Sequence, residues 1–267
     1  MLIAQISDSH VDAPGKLAYG RIDAGAELKR ALATIASLNP RPDLIVHTGD
    51  VTQHGDLGLN KIVRAMLDQT GIAFCAIPGN HDEREPLRGA YADTSWMPKS
   101  SRFLHYVLED YPVRVICLDT KIPDEIAGEL CAERLEWLSA QLAAGGNKPT
   151  LIAMHHPAFR IGRPIGDSRP FRNAAAFVAL VEKYPNVALI IAGHVHCTLQ
   201  TRIGHAVAIA APSTAFQFAM DRRPDSVIAV SGEPAGYYMH DFKAGSGFTS
   251  HYAPLGDFGV PVPLNPG

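Results

Sequence analysis

The chain has 267 residues, 46% hydrophobic and 19% charged, which excludes a disordered polymer and leaves ample length for a buried core. A net charge of -3 and a pI near 6.4 lack the basic excess with which proteins hold polynucleotides, so a nucleic-acid polymer is excluded as a partner. The four cysteines Cys75, Cys117, Cys131 and Cys197 form no CxxC pair, no basic segment leads into a long apolar run at the start, and no window approaches the roughly 20 apolar residues of a membrane span, so a reducing, cytoplasmic setting without membrane attachment is expected.

No linker, repeat or charge block divides the chain, and one domain over residues 1–267 is expected. The first apolar run, Leu2-Ile3-Ala4-Gln5-Ile6, reads as a strand that discharges Asp8 and His10. A loop broken at Pro14-Gly15 precedes a helix with Asp23 as N-cap and Leu28, Ala31, Leu32, Ile35 and Leu38 as its apolar face. Leu44-Ile45-Val46 is a second strand, running through His47-Thr48 into Gly49-Asp50. Leu59, Ile62, Val63, Met66 and Leu67 repeat at helical spacing up to Gly71, and residues 72–77 form a third strand that stops at Pro78-Gly79-Asn80-His81-Asp82. This βαβαβ order is the signature of a parallel α/β layer.

Residues 83–100 read as an irregular loop, and Phe103–Glu109 with Val113–Leu118 as a hairpin. Leu135, Leu138 and Leu142 mark a helix closed by Gly145-Gly146. A strand over Leu151–Met154 leads to His155-His156, then a loop, a helix on Ala174, Phe177, Val178, Val181 and Tyr184, and a strand over Val187–Ala192 that leads to Gly193-His194-Val195-His196. Antiparallel strands over Thr198–Ile203 and Ala206–Ala210 meet at Gly204, with further strands expected at Ser226–Val230 and Tyr237–Phe242. The stretch 211–267, rich in Pro and Gly towards its end, is expected to make an irregular C-terminal cap or oligomerisation arm. The fold class is α/β, two sheets face to face and covered by helices.

Ligands of open α/β sheets bind outside the carboxyl ends of the strands. Here five strand ends carry Asp, Asn or His, and their convergence on one site is hard to explain as core packing. Asp8 and His10 are two residues apart, as are His194 and His196, so persisting strand geometry would project each pair to one side. Imidazoles mixed with carboxylates and an amide oxygen suit Mn, Fe, Co or Zn better than Ca or Mg, and the lack of thiolates excludes a zinc ribbon. The candidates outnumber the positions around one four-coordinate ion. Two divalent ions sharing a carboxylate, about 3.5–4 Å apart, are the usual device for hydrolysing phosphate esters. His47, His54, His105, His205, His240 and His251 are given no role, and Arg160, Arg163, Arg169 and Arg172 are read as a solvated loop or a subunit contact.

The series Asp8-x-His10, Gly49-Asp50, Gly79-Asn80-His81-Asp82, His155-His156-Pro157 and Gly193-His194-x-His196 resembles the calcineurin-like metallophosphoesterase superfamily, in particular its branch of class III cyclic nucleotide phosphodiesterases and glycerophosphodiesterases. The resemblance implies a four-layer αββα sandwich and two metal ions per chain. Asp8, His10, Asp50 and His196 would hold one ion; Asp50 would bridge to a second completed by Asn80, His155 and His194. His81 would stabilise the transition state or protonate the leaving alkoxide, and His156 would support the site from behind. The implied reaction is hydrolysis of a small phosphodiester, a glycerophosphodiester or a 3′,5′-cyclic nucleotide, by attack of a metal-bound hydroxide. A phosphomonoesterase and a catalytically silent metal-binding scaffold are the alternatives. The stretch Ala215-Phe216-Gln217-Phe218 departs from relatives that place a histidine near Phe216. The resemblance and the C-terminal arm are both compatible with a homo-oligomer.

Overall fold

The computed structural model describes residues 1–259. Its first five elements are β1 (Leu2–Ile6), α1 (Ala24–Ala36), β2 (Leu44–His47), α2 (Leu57–Gln69) and β3 (Phe74–Ala76), the expected βαβαβ unit. Asp23 caps α1 by accepting from Ala26 N, and Asp56 caps α2 by accepting from Leu59 N. The segment read as a loop contains α3 (Arg84–Ala90), a correction to the sequence reading. Pro86 and Gly89 and a length of seven residues hide it, but Leu87 and Ala90 are buried one turn apart.

The second half comprises β4 (Tyr106–Leu108), β5 (Arg114–Cys117), α4 (Ala132–Ala144), β6 (Thr150–Ala153), the short α5 (Pro164–Asp167), α6 (Ala174–Val181), β7 (Val187–Ala192), β8 (Leu199–Ile203) and β9 (Ala206–Ala210). There follow β10 (Gln217–Phe218), β11 (Val230–Ser231), β12 (Gly236–Lys243) and β13 (Gly247–Pro254). Two expectations fail in this region. Of Ser226–Val230 only Val230 joins a strand, while Val227 and Ile228 stand exposed to solvent. The C-terminal stretch is not irregular throughout, since β12 and β13 form a hairpin paired in register from Gly236↔Pro254 to Lys243↔Gly247. Residues 260–267 of the expected arm lie outside the described residues.

One sheet runs β13-β12-β1-β2-β3 and the other β4-β5-β6-β7-β9-β8, with a separate β10-β11 ribbon. Strands β1, β2 and β3 are parallel, as are β5, β6, β7 and β9, while β12, β4 and β8 join antiparallel. Three apolar clusters define the layers. Ile3, Val46, Cys75, Val115, Leu151 and Ile191 pack between the sheets. Leu28, Leu32, Ile35, Val63 and Leu67 cover the outer face of the first sheet, and Leu138, Leu142, Phe177 and Val181 that of the second. The order is helices, sheet, sheet, helices, the mixed α/β sandwich expected from the sequence. Gln5 ties the two sheets together near the carboxyl ends of β1 and β7 by donating to Ala192 O at 2.8 Å.

Candidate metal centre

Strands β1 and β7 end at Ile6 and Ala192, so Asp8, His10, His194 and His196 lie in loops beyond them. Strand alternation therefore does not aim these pairs, contrary to the sequence reading. They adopt left-handed backbone instead, with φ of 51° at Asp8, 45° at His10, 71° at His194 and 47° at His196, and Asp50 joins them at 51°. Such conformations are costly for side chains with a Cβ and persist where surrounding bonds over-determine them. Asp8 N donates to Gly49 O at 2.9 Å, His10 N to Asp50 O at 3.0 Å, and His194 N to the Asp8 carboxylate at 2.9 Å. Close approach fixes two glycines: a Cβ on Gly79 would overlap Asp50, and one on Gly193 would overlap Ser7 and Asp8.

All the residues expected to ligate metal come together. Nε2 of His10 and Nε2 of His196 face each other at 3.1 Å, and Asp8 Oδ1 lies 3.4 Å from His196 Nε2. Asp50 Oδ2 lies 3.6 Å from His10 Nε2 and 3.4 Å from His155 Nε2. Asn80 Oδ1 is 3.2 Å from His155 Nε2 and 2.9 Å from His194 Nδ1. Backbone carbonyls hold the far side of two of these rings: His155 Nδ1 donates to Thr48 O at 2.7 Å and His196 Nδ1 to Phe216 O at 2.9 Å. His10 Nδ1 is held in the same way by Gln53 Oε1 at 2.9 Å. Among the described residues four three-residue groups could hold an ion, each with ligand atoms within 4.8 Å of one another. Two of these groups contain residues not expected as ligands, His81 with His10 and Asp50, and His156 with His155 and His194.

The electrostatics fit a cation. Burial alone would raise the Asp8 and Asp50 carboxyls, but the charge and hydrogen bonding of His196 and His155 respectively hold both well below the usual carboxylate range. Burial pushes His10 and His194 down to about 3, which keeps their imidazoles neutral with a lone pair to offer. At His155 burial acts in the same direction, but the Asp50 charge overrides it and lifts the group to about 9. A divalent ion would take the place of that proton. Two carboxylates, an amide oxygen and several imidazole nitrogens converging in a buried space make a donor set suited to a divalent transition metal.

Several supporting groups were not picked out from the sequence. Asp82 accepts from Val51 N and Thr52 N at 3.0 Å and Gly79 N at 2.9 Å, so it clamps the two loops that present Asp50 and Asn80. Its place in Gly-Asn-His-Asp was the available signal. Lys121, almost fully buried, donates to Asn80 O at 2.9 Å, and Ser213 Oγ donates to Asp8 O at 2.7 Å. No spacing rule points to either. His156 sits behind the site with Nδ1 2.8 Å from Thr120 Oγ1, and its Nε2 has no partner. The arginines of the loop after His156 divide: Arg160 pairs with Asp167 and Arg172 with Glu125 at the surface, whereas Arg163 is buried and donates to Val195 O at 2.6 Å. His47, given no role, is buried with Nε2 2.8 Å from Ser9 Oγ.

Fold and site together define an α/β sandwich with a cluster of His, Asp and Asn side chains that could hold metal at the carboxyl edges of two facing sheets. The chain belongs to the calcineurin-like phosphoesterase family, whose model matches residues 1–198. It is 33% identical to a probable glycerophosphodiester phosphodiesterase GpdQ of Arcobacter nitrofigilis, over 99% of this chain and 97% of that protein. It is also 31% identical to the 3′,5′-cyclic adenosine monophosphate phosphodiesterase CpdA of Pseudomonas aeruginosa, over 82% of this chain and 78% of that protein. Among solved structures, a dimetal phosphatase from Danio rerio superposes with a TM-score of 0.65 at 15% identity, covering 96% of this chain and 99% of that one, a likeness of fold. Among the described residues no helix is long and apolar enough to cross a membrane.

Proposed function

We propose that this protein is a binuclear, divalent-metal-dependent phosphodiesterase that hydrolyses small diesters, glycerophosphodiesters or 3′,5′-cyclic nucleotides. The relatives named for these two activities support the substrate class. The observation that carries the two-ion reading is the position of Asp50 Oδ2, 3.6 Å from His10 Nε2 on one side and 3.4 Å from His155 Nε2 on the other. One oxygen there can serve two centres. Asp8, His10, Asp50 and His196 would hold one ion, and Asp50, Asn80, His155 and His194 the other, drawn from Mn, Fe, Co or Zn. When bound, such a pair lowers the pKa of a water toward neutrality and neutralises phosphoryl charge.

The chain's own residues do the rest. His81 Nδ1 donates to Gln53 O at 3.0 Å, which leaves Nε2 for the substrate. With its Nδ1–H held by that carbonyl, the ring delivers a proton from Nε2 as the imidazolium. The proton goes to the departing ester oxygen as the P–O bond breaks and the ring is left neutral with Nδ1–H, a step that matters for an alkoxide leaving group. His156, bonded to Thr120, would keep His155 and His194 in place without ligating. The free state of the four cysteines fits a reducing, cytoplasmic setting.

The test is initial rates of metal-reconstituted protein on bis(p-nitrophenyl) phosphate, p-nitrophenyl phosphate, glycerophosphoethanolamine and cyclic AMP, with metal measured on the same sample. Diester turnover with about two ions per chain is expected. Preference for the monoester would reassign the protein as a phosphomonoesterase, and bound metal without turnover would make it a scaffold.

A further inference from the structure

Over the candidate metal centre opens a cavity of about 240 Å³ with a polar floor and a mostly apolar wall. The floor is made by His10, Asp50, Asn80, His194, His196 and His81; Tyr19, Ile126, Ile161, Phe216, Phe218 and Ile228 are prominent in the wall. The wall begins at the floor itself. The Phe218 ring stacks on His196 with centroids 4.3 Å apart, Phe216 lies 4.6 Å from the same imidazole, and Tyr19 meets Phe216 edge-on at 5.1 Å. A group esterified to a phosphorus over the floor therefore meets aromatic and aliphatic surface.

The rim carries the same character into solvent. Tyr19, Ile126, Val227 and Ile228 are 62%, 45%, 73% and 52% exposed around this one opening. Most polar side chains of the wall are already engaged. Gln53 Oε1 lies against His10 Nδ1, Arg163 is directed at the carbonyls of Val195, Phe218 and Ala219, and Asp221 is held by Arg223. Among the described residues the wall's remaining polar side-chain groups are the Gln53 amide nitrogen, the Tyr19 hydroxyl, the Arg163 Nε and Arg169. A glycerol headgroup brings hydroxyls that need partners on desolvation, whereas an aromatic hydrocarbon or alkyl group brings none.

On the diesterase reading of this site, we propose that the wall selects phosphodiesters whose ester group is an aromatic hydrocarbon or alkyl group over those carrying a glycerol headgroup. Ile161, Phe218 and Ile228 are the specificity-determining residues. The test uses benzyl p-nitrophenyl phosphate and glyceryl p-nitrophenyl phosphate, which share a leaving group and differ in the alkyl group retained. The wild type should favour the benzyl ester by at least about tenfold in kcat/KM. The double variant Ile161→Ser/Ile228→Ser should lose most of that preference in kcat/KM while keeping its metal content. Equal rates, or preference for the glyceryl ester in the wild type, overturn the proposal.

A double variant that changes oligomeric state by light scattering and leaves the substrate ratio intact also overturns it, because the rim would then be a contact between copies. Absence of turnover on both esters, with metal bound, contradicts the diesterase reading instead. The wall is then decided by calorimetric binding of benzyl phosphate and glycerol 3-phosphate to the metal-loaded protein. Tighter binding of benzyl phosphate that the double variant abolishes supports the wall's preference, and equal or weaker binding overturns it.

Discussion

His81 is where ligation and catalysis can be separated. It lines the cavity, yet the ring also lies within a group with His10 and Asp50 that could take an ion. As a proton donor it accounts for a factor of roughly 10² to 10⁴, so His81→Ala should lower kcat by that much with metal content unchanged. Parallel loss of metal, measured by elemental analysis of the variant, would make His81 a ligand. Gly79 poses the complementary test, because a Cβ there would overlap both the carboxylate and the backbone nitrogen of Asp50. Gly79→Ala should lose bound metal with its circular dichroism preserved, and full metal retention would contradict a bridging role for Asp50. The types of the site residues were legible in the sequence because Asp, Asn and His at several strand ends are an uncommon coincidence. Their aim was not. It depends on left-handed φ values and on the carbonyls of Thr48 and Phe216, and backbone atoms leave no mark on residue type.

Among the elements, β12 carries a pH dependence. It pairs antiparallel with β1 and buries His240, whose Nε2 donates to Gln5 Oε1 at 3.0 Å and whose Nδ1 accepts from Ser250 Oγ at 2.8 Å. Burial pushes His240 down to about 3, against about 6.5 in an unfolded chain. Between those values the unfolded state binds a proton that the native state refuses, so stability falls as pH drops through that window, by about 1.4 kcal/mol per pH unit for one proton. His240→Gln should flatten the fall of urea-unfolding free energy between pH 6.5 and 4.5 relative to wild type, and equal slopes would contradict this account. Helix α1 was readable from its cap and its apolar stripe at Leu28, Leu32 and Ile35. Helix α3 was too short for periodicity to register, and β13 has half-exposed faces without an apolar alternation to betray it. Val227 and Ile228 failed in the opposite sense, being strand-forming types that line a cavity mouth.

At the scale of the molecule, the candidate ligands come from both sheets, which otherwise meet through apolar packing and hydrogen bonds such as Gln5 to Ala192 O and Tyr106 to Ala76 O. Asp8, Asp50 and Asn80 follow β1, β2 and β3, and His155, His194 and His196 follow β6 and β7. An ion held from both sides stabilises the folded state by mass action, about 2.7 kcal/mol at a free concentration 100 times its dissociation constant. Removing metal with a chelator should lower both the melting temperature and the urea midpoint, and restoring it should reverse the loss. An unchanged midpoint would show that the ligands do not hold metal across the interface. The facing of two sheets was legible because motifs of one chemistry recur at strand ends in both halves of the chain. The apolar wall above the site was not, since Tyr19, Ile161, Phe218 and Ile228 are scattered in sequence and meet only in the fold.

The most direct measurement is a metal titration of the metal-free protein, following bound ions per chain and the initial rate on bis(p-nitrophenyl) phosphate together. The account predicts little activity at one equivalent and a rise to full rate as the second binds. Full activity at one equivalent, or none at two, would contradict the binuclear phosphodiesterase centre built around Asp50.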